Sequence, residues 1–220
     1  MTIIYAAVTA VVNPPGAEPF ITQDQLWQAL ELKRIQPQRF LAVIDTCEVL
    51  ENSNDTILRE VKFKDGGGKF AAPLVGKTVQ ERVSHHAPVS SSSGAGVEIF
   101  NVIGNASRVL NIISIGANPG EMYLTFTFEW DHPEIEKGSS EEIAKQKQYQ
   151  TSAPAGLAGT LGKIREMVKA GELGGSVVSS ELTPPNSPDG SVTAPVIASE
   201  KSRSWFPSRW SWLRLKAVQR

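Results

Sequence analysis

Two opposite charges stand where a strand would otherwise be apolar. In "TILREVKF" the residues Ile57, Arg59, Val61 and Phe63 share one parity, and in "TVQERVSH" Val79, Glu81 and Val83 do the same. Successive strand side chains point to opposite faces, so Arg59 and Glu81 are aimed at the side that their neighbours keep apolar. An unpaired charge there costs several kcal/mol, whereas a bidentate guanidinium–carboxylate pair is tolerated. Two roles are open to such a pair. It is a structural bridge that holds register, or a polar site that grips a ligand carbonyl and moves protons. His85 and His86 follow at the end of the same strand, ahead of Ala87-Pro88. A histidine at a pocket mouth can transfer protons near neutral pH, and paired histidines at a strand end are also ordinary loop residues. Arg59, Glu81 and His85 are therefore the candidate catalytic residues. Asn111 is set aside with them, and Tyr123 lies outside on parity. Asp131-His132 alone is too thin for a metal site.

The elements that would position these groups can be read in order. "MTIIYAAVTAVV" has no basic start, is rich in β-branched residues and ends in the turn signal "NPPG", so it reads as a first strand rather than a leader. Thr22 and Gln25 form a capping-box pattern for a helix carrying Leu26, Trp27 and Leu30. Pro37 suits the first turn of a second short helix. From about Leu41 six β-rich runs follow, joined mostly by short Asn-, Gly- and Ser-rich links that favour antiparallel neighbours. The segment from Asp65 to Gly76 is longer, an elaborated hairpin or an entrance lid. A long helical region then opens at "SSEEIAKQKQYQ", with Pro154 expected to kink or restart it and Gly171 near its end. Beyond Gly174 the chain turns to Ser, Thr, Pro and Gly, which does not bury enough to order itself.

Strand, two short helices, six antiparallel strands and a long C-terminal helix is the order of the START and Bet v 1-type proteins. The ordered set "ITQDQLWQAL", "REVKF", "VQERV", "NIIS", "YLTFTF" and "IREMVKAG" resembles the AtaL-like branch of that superfamily, named for an acetylaranotin-cluster protein, over roughly residues 1–174. The resemblance implies an α+β helix-grip fold, a seven-stranded antiparallel sheet curled around the long helix. It also implies an apolar ligand pocket between the two, and work in fungal secondary metabolism. The family carries no settled catalytic residues to transfer. Parity then sorts the expected lining of such a pocket: Ile57, Val61, Phe63, Val79 and Val83, with Ile99, Asn101, Leu124, Phe126 and Phe128 on later strands. Leu157 and Leu161 come from the long helix, and Gly156, Gly159 and Gly162 on it are expected to leave room for a ligand.

Composition sets limits. Net charge is −1, so the chain has no overall basic excess for nucleic acid. After Glu200, however, six basic residues occur without an acidic one, interleaved with Trp205, Phe206, Trp210 and Trp212. Such a tail can rest on an anionic membrane surface or dock on an acidic partner, although Pro207 interrupts any single helix, and a disordered end is the simpler expectation. A lone cysteine, Cys47, suits a reducing compartment, so the expected location is cytoplasmic. Phosphate loops, dinucleotide fingerprints, GxSxG elbows and Cys/His metal spacings are missing from the sequence, so no cofactor and no metal are expected. The expected organisation is a ligand-binding domain over 1–174 and a linker with a basic-aromatic tail over 175–220. Two functions fit: a cyclase- or isomerase-like enzyme acting on a polyketide- or peptide-derived intermediate, or a non-catalytic carrier for an apolar small molecule.

Overall fold

The computed structural model describes residues 2–65, 74–88, 94–118 and 120–174. Expectations about the 175–220 tail, and about most of the Asp65–Gly76 segment, fall outside those residues. The first strand, β1 (Ile3–Val11), is followed by helix α1 (Gln23–Ile35). Thr22 caps α1 through a complete capping box, its hydroxyl accepting from the Gln25 amide while the Gln25 side chain accepts from the Thr22 amide. The second short helix is a single 3-10 turn, Pro37–Arg39, too short to continue because the chain enters the sheet a few residues later.

Six strands complete the sheet: β2 (Ile44–Ser53), β3 (Thr56–Phe63), β4 (Thr78–His86), β5 (Gly96–Val102), β6 (Arg108–Ile115) and β7 (Met122–Asp131). All pairings are antiparallel, in the order β1-β7-β6-β5-β4-β3-β2. Two register shifts between β2 and β3 bend that edge of the sheet.

Helix α2 (Ser140–Lys169) packs across β1 and β7 and touches α1. It is capped by Ser139 and runs without interruption through Pro154. The expected break is not made: Pro154 lies on an exposed part of the helix, where water can serve the carbonyl that loses its amide partner. Gly171, at φ 74°, ends α2 with its amide bonded to the Val168 carbonyl and that of Glu172 to the Met167 carbonyl. The result is the helix-grip arrangement.

The main apolar core lies between α1, α2 and the β1–β7–β6 part of the sheet, with Leu26, Leu30, Ile113, Leu124, Phe126, Leu157, Leu161 and Ile164 all buried in it. Leu124, Phe126, Leu157 and Leu161 were expected to line a cavity. All four fall in this one buried cluster, with Phe128 against its edge. Gly156, Gly159 and Gly162 are exposed, and a Cβ added at any of them would meet nothing within 4 Å. The expectation that they make room for a ligand is therefore wrong, because all three fall on the solvent side of the stripe set by Leu157, Leu161 and Ile164. Among the described residues no helix is long and apolar enough to cross a membrane.

Candidate functional site

The concave face of the sheet has two halves. Next to α2 it is apolar. Over β3 to β6, beneath α1, it is polar, and this half holds the charges. Arg59 on β3 and Glu81 on β4 stand directly opposite in register. The Arg59 Nε and Nη2 groups both donate to Glu81 Oε2, at 2.9 and 2.7 Å. Its Nη1 donates to the carbonyls of Lys33 and Arg34, at 3.2 and 2.7 Å, in the last turn of α1. Those carbonyls have no intrahelical partner, and a cation there complements the negative end of the helix. Arg59 is also 5.0 Å from the centre of the Phe100 ring. Its hydrogen bonds are thus committed to holding α1 on the sheet, and this geometry favours the structural role. Ile57 and Val83 pack with Phe100 beside the pair, Val61 is buried next to them, and Phe63 and Val79 are half-buried on the same parity.

On β5 the expected parity is inverted. Register pairs Val83 with Phe100 and His85 with Glu98, so Gly96, Glu98 and Phe100 face inward. Asn101 is exposed and Ile99 is half-buried on the other face. Ile99 and Asn101 alternate as cleanly as their neighbours, and only cross-strand register decides which set faces in.

β4 continues through both histidines, so neither is a loop residue. His86 points outward and is exposed, while His85 points inward and is 7% exposed. His85 Nδ1 lies 3.0 Å from Glu98 Oε1, and Glu98 Oε2 accepts from Asn111 Nδ2 on β6 at 3.2 Å. Glu98 and Asn111 are fully buried. With Glu98 as a carboxylate, Nδ1 donates and Nε2 is left as the acceptor. The Trp27 ring covers the imidazole at 4.3 Å. Gly96 lets it lie there, since a Cβ at that position would come within 2.7 Å of the indole.

Lys33 of α1 completes the polar half. It is 7% exposed, with Nζ 4.4 Å from the centre of the Phe126 ring. Burial lowers its pKa to about 8, Arg59 pushes the same way, and Glu98 and Glu81 pull it back up. Two cations, Lys33 and Arg59, thus share this face with two carboxylates, Glu81 and Glu98. Asn111 Oδ1 is enclosed there without a hydrogen-bond partner.

Glu98 and Lys33 escaped the sequence reading, although each carries the signal that exposed Arg59. Glu98 alternates with Gly96 and Phe100, and Lys33 continues the Leu26–Leu30 stripe of α1. As a set, the polar half can orient an imidazole, hold a carbonyl or enolate near cations, and move a proton. Among the described residues no three His, Cys, Asp or Glu side chains gather as metal ligands. His132 is instead tied to Glu134 at 2.7 Å and to the Tyr149 hydroxyl at 2.6 Å, a link between β7 and α2 away from this face.

A family model described as "Acetylaranotin biosynthesis cluster protein L" matches residues 6–171. A protein of the same description from Aspergillus terreus is 24% identical over 143 residues, which is 65% of this chain and 76% of that one. Two solved structures share the fold. Human STARD10 superposes with a TM-score of 0.54 at 10% identity, over 76% of this chain and 66% of its own. The ZhuI aromatase/cyclase from Streptomyces sp. R1128 gives a TM-score of 0.52 at 12% identity, over 77% of this chain and 98% of its own. At such identities the likeness is one of fold.

Proposed function

The chain belongs to the acetylaranotin biosynthesis cluster protein L family, and from that premise we propose that it acts in secondary-metabolite biosynthesis, as a cofactor-independent isomerase or cyclase of a small, largely apolar intermediate bearing a carbonyl group. The observation that carries this reading is the His85–Glu98–Asn111 chain in the concave face. Replacing a buried charge cluster by apolar side chains of the same size is often neutral or stabilising, so a fully buried carboxylate set on an imidazole suits chemistry better than it suits stability. In this reading Glu98 holds the tautomer and plane of His85. Nε2 removes a proton next to the substrate carbonyl and returns it at another carbon or to a ring-closing oxygen. Lys33, Arg59 and Glu81 set the field in which the enolate forms. Trp27 and Phe126 supply apolar walls.

The test begins with the producing organism. Deleting the gene and identifying the metabolite that accumulates names the substrate. Purified protein should convert that metabolite without added cofactor. Tight binding with no conversion would leave the carrier role.

A further inference from the structure

The proton-transfer chain gives Lys33 only an electrostatic part and leaves its buried amine without a bonding role. Its Nζ could donate three hydrogen bonds and makes none to a described residue. It rests against the face of Phe126. Nor is Nζ among the fully enclosed polar atoms that lack a partner, a set that includes Asn111 Oδ1. Lys33 is thus a nearly buried lysine whose nitrogen, on the polar half of the sheet, makes no hydrogen bond to a described residue.

We propose that Lys33 is a catalytic residue that condenses through Nζ with a ketone or aldehyde carbonyl of the bound intermediate. The inference rests on the reading of the concave face as a substrate site. Neutral Nζ gives its lone pair to the carbonyl carbon, a C–N bond forms, and one proton passes from nitrogen to oxygen. The hydroxyl then leaves as water, taking up one further proton, and a protonated imine remains. One water is released, and no oxidant or reductant is consumed. The iminium draws electrons from the adjacent C–H bond, whose proton Nε2 of His85 can take, and hydrolysis later restores the amine. Glu98 acts on both groups, hydrogen-bonded to His85 and electrostatically attracting Lys33. The environment also supplies the reactive form. With a pKa of about 8 in place of 10.5, Lys33 holds on the order of a hundredfold more free amine at that pH than an exposed lysine.

The experiment uses full-length protein, hexanal as the carbonyl probe and cyanoborohydride to reduce any imine, with adducts mapped by peptide mass spectrometry. Lys33 should be labelled ahead of exposed lysines such as Lys62 and Lys147 by ~tenfold or more, since its lower basicity offsets part of its hundredfold excess of free amine. Labelling should rise through about pH 8. The adduct should be lost in Lys33→Met and Lys33→Arg, with both variants checked for a cooperative melt. Displacement of a fluorescent apolar probe by hexanal is followed in parallel. Displacement with Lys33 unmodified overturns the imine and leaves the substrate-site reading standing. If hexanal neither displaces the probe nor modifies Lys33, both fall.

Discussion

Arg59 and Glu81 face one another across β3 and β4, and the guanidinium that holds the Glu81 carboxylate also holds the C-terminal carbonyls of α1. One side chain therefore ties strand to strand and sheet to helix. Glu81→Gln leaves that guanidinium buried without its counter-charge and should cost ~3 kcal/mol or more in denaturant unfolding. A double Arg59→Met, Glu81→Met variant should lose less than either single change, because no charge is then stranded. If Glu81→Gln proves as stable as the parent, the pair is not what holds α1.

Lys33 predicts a pH dependence of stability. Its native pKa is about 8 and its ordinary value is 10.5. Between those values the unfolded chain binds more protons than the native one, so stability rises with pH across that window. Below about pH 8 the cost of burying the ammonium is present in full. Lys33→Met should stabilise the protein by about 3 kcal/mol at neutral pH and abolish the alkaline rise. Equal stability of parent and variant at neutral pH would show that the ammonium is solvated.

Gly156, Gly159 and Gly162 lie on the exposed side of α2 with room for a methyl group. Alanine at each should raise stability by roughly 0.5–1 kcal/mol, through the smaller backbone entropy lost on folding, without changing ligand binding. Weaker binding of an apolar probe by the triple variant would return these glycines to the site.

His85→Gln and Glu98→Gln separate chemistry from binding. With the identified metabolite as substrate, either change should lower kcat by about 10²–10⁴ while KM moves little, the loss expected when a general base or its orienting carboxylate is removed. A rise in KM alone would make the network a binding element.

The 175–220 segment is proposed to be dispensable for the site. Truncation after Gly175 should leave ligand binding and turnover intact, and limited proteolysis should leave a stable core ending near Gly174. Loss of either activity on truncation would mean that the tail closes the site or recruits a partner.

Much of this protein is written locally. The Thr22–Gln25 capping box, the Leu26–Leu30 stripe, the end of α2 at Gly171 and the inward parity of Arg59 and Glu81 need only spacing, because each follows from the 3.6- or 2-residue period of one element. The short links between strands are equally legible, since brief connections leave antiparallel pairing as the available geometry.

Other features were beyond local reading. Whether Gly96, Glu98 and Phe100 or Val97, Ile99 and Asn101 face inward is decided by the pairing of β5 with β4, and a shift of one residue reverses it. That register placed His85 against Glu98. The packing of α1 across the sheet brought Lys33 to the same face, and it gave Arg59 the carbonyls of Lys33 and Arg34 to cap. Residue type and period supplied each charge and the face of its own element. Which charges meet, and which amine is left without a partner, depended on contacts between elements far apart in the chain, and only the tertiary structure makes those.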